Sequence, residues 1–121
     1  MSGPVGMVGS HILADFYGVS ARLLRSGGEL ETLLRGAAEL AGAKVVGSHF
    51  HSFGSAHGVT RVVLLAESHI SIHTWPESDF AAVDIFMCGT ANPQRALEAL
   101  VEALSPTQQH VEVAARGRGA S

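Results

Sequence analysis

Apolar and polar positions alternate one by one from His69 to His73, so an extended chain carries Ile70 and Ile72 on one side and His69, Ser71 and His73 on the other. A second strand-like run, Arg61 to Ala66, lies just before it. The junction between them, Glu67-Ser68-His69, holds no Gly, Pro or Asn on which to turn. The same alternation predicts strands elsewhere. His11 to Tyr17 ends at Gly18. Ala43 to Phe53 projects His49, His51 and Phe53 from one face, with Ser48, Phe50 and Ser52 on the other. Val59 to Ala66 is nearly all apolar, which predicts a central position in a sheet. Phe80 to Met87 and Gln109 to Val113 complete the set.

A longer period marks two helices. Leu30, Leu33, Leu34, Ala37, Ala38 and Ala41 recur at helical spacing after Ser26-Gly27 and stop at Gly42. Asn92-Pro93 opens the second, whose apolar set is Ala96, Leu97, Leu100, Val101 and Leu104. Val19 to Arg25 is too short and mixed to assign and reads as a connector. Met1 to Gly9, rich in glycine, reads as a flexible lead-in with order beginning near Ser10, and the residues after Val113 as a disordered tail.

The order is therefore strand, helix, four strands, helix, strand. Tight links between the middle strands favour antiparallel pairing, and two helices can cover only one face of such a sheet. The expected fold is α+β, a two-layer α/β sandwich with a mainly antiparallel sheet and two helices on one face. The other face must meet solvent or another subunit.

With 121 residues, a single domain spanning 1–121 is expected. The low charged share, 16% against 46% hydrophobic, suits a subunit that buries area against a partner, so a homo-oligomer fits. A formal charge of -3 without any Lys/Arg cluster gives no electrostatic footprint for nucleic acid. No run approaches the length of a membrane span or a signal peptide, and Cys88, the single cysteine, suits a reducing cytoplasm.

Seven histidines are many for this length. His49-x-His51 and His69-x3-His73 share strand faces, yet no nearby Cys or carboxylate completes a tetrahedral metal set, so no metal is expected. His11, His57 and His110 read as single imidazoles hydrogen-bonded in place. Asp15 reads as a solvent-facing strand residue or as a carboxylate lining a site. Ser68 lacks the G-x-S-x-G turn of a hydrolase nucleophile, and ordinarily such a serine bonds to backbone. Here it directly follows an acid, with His73, Thr60 and Cys88 expected close by on neighbouring strands. Cys88 reads as inert core sulfur or, beside an imidazole, as a proton carrier.

The run A-E-S-H-x-S-I-H-T-W-P-E from Ala66 to Glu77 closely resembles the prokaryotic S-adenosylmethionine decarboxylase proenzymes. Gly58-Val59-Thr60 before it and the stretch from Ala81 to Gly89 after it carry the same likeness, which extends back to Gly9-Ser10-His11 and Asp15-Phe16-Tyr17-Gly18. The resemblance implies self-cleavage between Glu67 and Ser68, giving fragments 1–67 and 68–121. Ser68 would attack the preceding carbonyl, form an ester, and after β-elimination and hydrolysis become a pyruvoyl group. His73 would accept the Ser68 α-proton in that processing, with Thr60 supporting the ester step in place of the more usual Ser.

In turnover the resemblance implies a Schiff base between the pyruvoyl carbonyl and the substrate amine. Cys88 would be the proton donor to the decarboxylated carbon, Phe53 would stack on the adenine, and Glu77 would hold the ribose hydroxyls. The implied product is decarboxylated S-adenosylmethionine for spermidine and other polyamines, made by a homodimer of processed protomers in the cytoplasm. Departures fall at Asp15, where Glu is common, at Arg61, and in the slightly longer turn after Gly54. Two other readings fit the scaffold: a pyruvoyl-dependent arginine or ornithine decarboxylase, and an unprocessed, non-enzymatic binding protein.

Overall fold

The computed structural model describes residues 7–54 and 57–118. Its elements are β1 (Met7–Tyr17), α1 (Ala21–Leu24), α2 (Gly27–Leu40), β2 (Val45–Ser52), β3 (Val59–Leu65), β4 (Ser68–Trp75), β5 (Phe80–Cys88), α3 (Pro93–Leu104) and β6 (Gln108–Arg118), with a 3-10 turn at Pro76–Ser78 between β4 and β5. The strands form one sheet in the order β2-β3-β4-β5-β1-β6, every neighbouring pair antiparallel. The expected α+β sandwich is the observed one.

Strand alternation decides which face is dry. Ile12, Ala14 and Phe16 of β1, Ile70 and Ile72 of β4, and Val83, Ile85 and Met87 of β5 are all buried beneath the helices. They meet Leu30, Leu34, Ala37 and Ala38 of α2 and Ala96, Leu97 and Leu100 of α3, the stripes that helical spacing predicts. Each fully buried Leu, Ile or Phe contributes about 1.5–3 kcal/mol by leaving water. Both helices start on side-chain caps: the Ser26 hydroxyl accepts from the Glu29 amide at 3.3 Å, and Asn92 Oδ1 from the Gln94 amide at 3.0 Å.

Three segments differ from expectation. Val19 to Arg25, read as a connector, contains the one-turn helix α1; a single turn is too short to show a period. It is tied down by the Thr74 hydroxyl, which donates to the Leu24 carbonyl at 2.7 Å and accepts from the Val59 amide at 2.9 Å. Of the expected lead-in, residues 1–6 lie outside the described residues, whereas Met7 to Gly9 already belong to β1. Ala114 to Arg118, expected to be disordered, continue β6, where Ala115 and Arg116 pair with Ser10 and Gly9. Backbone pairing with β1 orders this segment without any apolar pattern, which is why alternation missed it.

The prediction of a central strand at Val59 to Ala66 holds in position but not in burial. Strand β3 has a neighbour on each side, yet Leu64 on its open face is 47% exposed. Beyond it, the edge strand β2 is anchored from beneath by Arg61. That buried arginine pairs with Glu31 of α2 and lies 4.3 Å from the centre of the Phe50 ring. Arg35 donates to the same carboxylate at 2.7 Å and, ahead of Arg61, holds it below the usual carboxylate range.

Candidate active site

The open face of the sheet carries the polar chemistry. The register sets His69, Ser71 and His73 of β4 beside Phe86, Asp84 and Ala82 of β5, and these beside His11, Leu13 and Asp15 of β1. The candidate residues fall into two groups, one at each end of β4.

The first group surrounds the junction that lacked turn residues. Leu65 pairs with Ser68, so β3 and β4 are joined by a two-residue loop, Ala66-Glu67. Glu67 makes the turn by adopting φ +65°, the left-handed region that Gly or Asn occupies far more readily. A side chain held there costs about 1–3 kcal/mol. The strained residue contributes the carbonyl of the Glu67–Ser68 bond. The Cys88 thiol donates to that carbonyl oxygen at 3.2 Å, and Ser68 Oγ lies 3.8 Å from Cys88 Sγ. A hydroxyl, a polarised carbonyl and a thiol thus meet at one end of the sheet.

The second group lies at the far end of β4. Thr60 pairs with His73, and Thr60 Oγ1 is 3.0 Å from His73 Nδ1. Both line a cavity of about 480 Å³ with Phe53, Trp75 and Glu77. Phe53, 59% exposed, stands edge-on to His51 with ring centres 4.7 Å apart, and Trp75 lies between His73 and Phe80, 5.3 Å from the latter. Glu77 sits in the 3-10 turn at the rim. Gly58 closes the floor: a Cβ there would lie 1.8 Å from the Thr74 carbonyl oxygen.

The expected proximity of Thr60 and His73 to Ser68 is therefore not found within one chain. His73 lies five residue steps along β4 from Ser68, a span of about 17 Å at strand rise. Only Cys88 of the three expected neighbours touches Ser68. His73 is distant because it lies on the same extended strand as Ser68, and Thr60 because the two-residue hairpin puts it opposite His73 rather than opposite Ser68.

Of the lone histidines, His11 and His110 are hydrogen-bonded as their sequence reading has it. His57 is exposed and lines the far cavity, and His110 is exposed beside Glu112 at 3.0 Å. His11 stacks edge-on against Phe86 and accepts from Arg116 at 2.9 Å. Trp75 and His57 were legible only as strand end and turn. Asp15 lies on the open face, opposite Ala82 and His110. Among the described residues no group of three or more His, Cys, Asp or Glu side chains could hold a metal ion. No described helix is long and apolar enough to cross a membrane.

Comparison with known proteins matches this arrangement to one family. Residues 10–117 match the S-adenosylmethionine decarboxylase family. The chain is 44% identical over 111 residues to the S-adenosylmethionine decarboxylase proenzyme of Aquifex aeolicus, covering 91% of this chain and 82% of that one. It is 46% identical over 112 residues to S-adenosylmethionine decarboxylase proenzyme 2 of Bacillus cereus, covering 92% and 90%. The crystal structure of the Aquifex aeolicus adenosylmethionine decarboxylase superposes with a TM-score of 0.85 at 40% identity, over 93% of each chain. With a family match over nearly its whole length and a shared fold at this identity, the chain belongs to the S-adenosylmethionine decarboxylase family.

Proposed function

We propose that this chain is a proenzyme that cuts itself between Glu67 and Ser68 and then decarboxylates S-adenosylmethionine. The observation that carries this reading is the Cys88 thiol donating to the Glu67 carbonyl beside the Ser68 hydroxyl. Donation to that oxygen draws electrons from the carbonyl carbon, and the left-handed Glu67 supplies strain that breaking the amide relieves. Ser68 Oγ adds to the carbon, the amide nitrogen leaves with a proton, and an ester replaces the amide. Removal of the Ser68 α-proton then expels the Glu67 carboxylate. Hydrolysis of the resulting dehydroalanine releases ammonia and leaves a pyruvoyl group at position 68. The fragments are 1–67 and 68–121.

His73 is the proton acceptor of that elimination in this reading, and Thr60, at 3.0 Å, fixes its ring. The distance within one chain supports a His73 supplied by a second copy. A two-fold axis through the open face near the middle of β4 sets the Ser68 end of one protomer against the His73 end of its partner, twice per dimer. That face has Leu13, Tyr17, Leu64 and Trp75 to bury, each more than 40% exposed in the single chain. The proposed assembly is therefore a homodimer with two composite sites.

The pyruvoyl group, once formed, supplies a carbonyl that condenses with an amine and takes up the electrons left by loss of carbon dioxide. Phe53 offers a π-face to the adenine, Glu77 accepts from the ribose hydroxyls, and Trp75 lines the path of the sulfonium. Cys88 returns a proton to the substrate carbon. The product is the aminopropyl donor for spermidine synthesis, and a required free thiol suits the cytoplasm. Release of labelled carbon dioxide from S-adenosylmethionine, arginine and ornithine tests the assignment. Release from the first alone is expected; release only from arginine or ornithine refutes it.

A further inference from the structure

Strand β2 is an edge of the sheet, and none of its residues from Val45 to Ser52 is buried in the single chain. Yet the cavity at the His73 end depends on it. Phe53 follows β2 directly, lines that cavity, and donates its amide to the Gly58 carbonyl at 3.1 Å. His51, opposite Thr60, meets the Phe53 ring edge-on. An edge strand is held by one ladder of hydrogen bonds, so the place of His51 and Phe53 is set by what the helix-facing side of β2 touches.

That side carries Phe50, which is fixed from two directions. Its Cα partner on β3 is Arg61, whose guanidinium carbon lies 4.3 Å from the ring centre. The ring edge rests on Gly27 at the start of α2, where a Cβ would collide with it. Arg61 is buried and ion-paired with Glu31 of the same helix. The other oxygen of Glu31 accepts from Arg35 at 2.7 Å and from the Ser48 hydroxyl of β2 at 3.3 Å. Arg61 Nε, also buried, has no hydrogen-bond partner among the described residues. An unmade bond on a buried cation costs free energy, and an apolar side chain of similar volume is often at least as stable in such a place. Stability alone therefore does not account for an arginine here.

We propose that Arg61 is a positioning residue for the adenosine end of the substrate: by clasping Phe50 against α2 it fixes the path of β2, and with it the place of the Phe53 ring. This rests on the decarboxylase reading above. Arg61 does not line the cavity, and it is Leu65, four residues along β3 and about 13 Å away at strand rise, that stands opposite Ser68. Its effect thus falls on substrate binding and not on self-cleavage or on the proton step at Cys88.

The test uses self-processed enzyme carrying Arg61→Met, Phe50→Leu or both, with Arg61→Lys as the conservative control. The readouts are the rate of self-cleavage, kcat and KM for S-adenosylmethionine, and the Kd of methylthioadenosine, which has the adenosine but no amino acid, by calorimetry. Misplacing one aromatic contact should raise KM and that Kd together, about threefold to tenfold, with kcat and the cleavage rate within about twofold. Phe50→Leu leaves the ion pair in place and should raise both constants as far as Arg61→Met does. The double variant should be no worse than either alone, and the lysine should restore part of the loss. An unchanged KM, a rise in KM without a rise in the nucleoside Kd, or effects that add in the double variant would overturn the positioning role. So would a fall in kcat and cleavage alongside KM, the mark of a generally loosened fold. Absence of carbon dioxide release from S-adenosylmethionine by the unaltered enzyme would instead refute the decarboxylase reading.

Discussion

Cys88 Sγ donates to the carbonyl oxygen of Glu67 at 3.2 Å, and Glu67 is itself held at φ +65°. The same peptide is thus strained on one side and polarised on the other. Cys88→Ala keeps the serine and the strain but loses the donor, so the chain should still split at 67/68, more slowly. The loss of one donor to a developing oxyanion corresponds to about 10²–10³-fold at most. Turnover of the processed variant should fall as well. A time course on denaturing gels, followed by carbon dioxide release, checks both.

Glu67→Gly removes the left-handed penalty. In the Ser68→Ala background, which should not cleave, the glycine should raise folding stability by up to about 1 kcal/mol in urea titration. With Ser68 present, cleavage should slow. Equal cleavage rates would show that strain at Glu67 contributes nothing.

Pairing across the two-fold can be tested by complementation. Ser68→Ala and His73→Ala chains should each fail to process alone. Co-expressed, they should form mixed dimers in which one composite site has both Ser68 and His73 and the other has neither. Cleavage confined to part of the His73→Ala chains, detected by mass, is the expected outcome. No cleavage in mixed dimers would mean that each chain acts by itself.

His69 sets a pH dependence of stability. Its folded pKa lies below the unfolded 6.5 because burial, then His11, disfavours the cation. The unfolded chain therefore binds more protons between the two values. The contribution is fully present above pH 6.5 and is lost as pH falls through 6.5 toward the folded pKa. Urea midpoints of uncleaved Ser68→Ala protein should decline over that interval, and His69→Phe should flatten the decline.

Much of the sheet was readable because Ile70 and Ile72 alternate with His69, Ser71 and His73 and because Phe80 to Met87 is an almost wholly apolar run, and the helices because Leu30, Leu34, Leu97 and Leu100 repeat at helical spacing. The Ala66 to Glu77 run was readable as chemistry for a different reason, its resemblance to a known family. What alternation could not give was long-range placement. The separation of Thr60 from Ser68 depends on the Leu65–Ser68 register, and that register depends on Glu67 taking a conformation no local signal announces. The Arg116–His11 contact joins residues 105 apart and likewise leaves no local trace.

The most direct test of self-cleavage is an intact-mass spectrum of the purified chain after prolonged incubation. Two fragments, 1–67 ending in an unmodified carboxylate and 68–121 beginning with pyruvoyl in place of Ser68, are the expected result. A single full-length mass with Ser68 intact would contradict it.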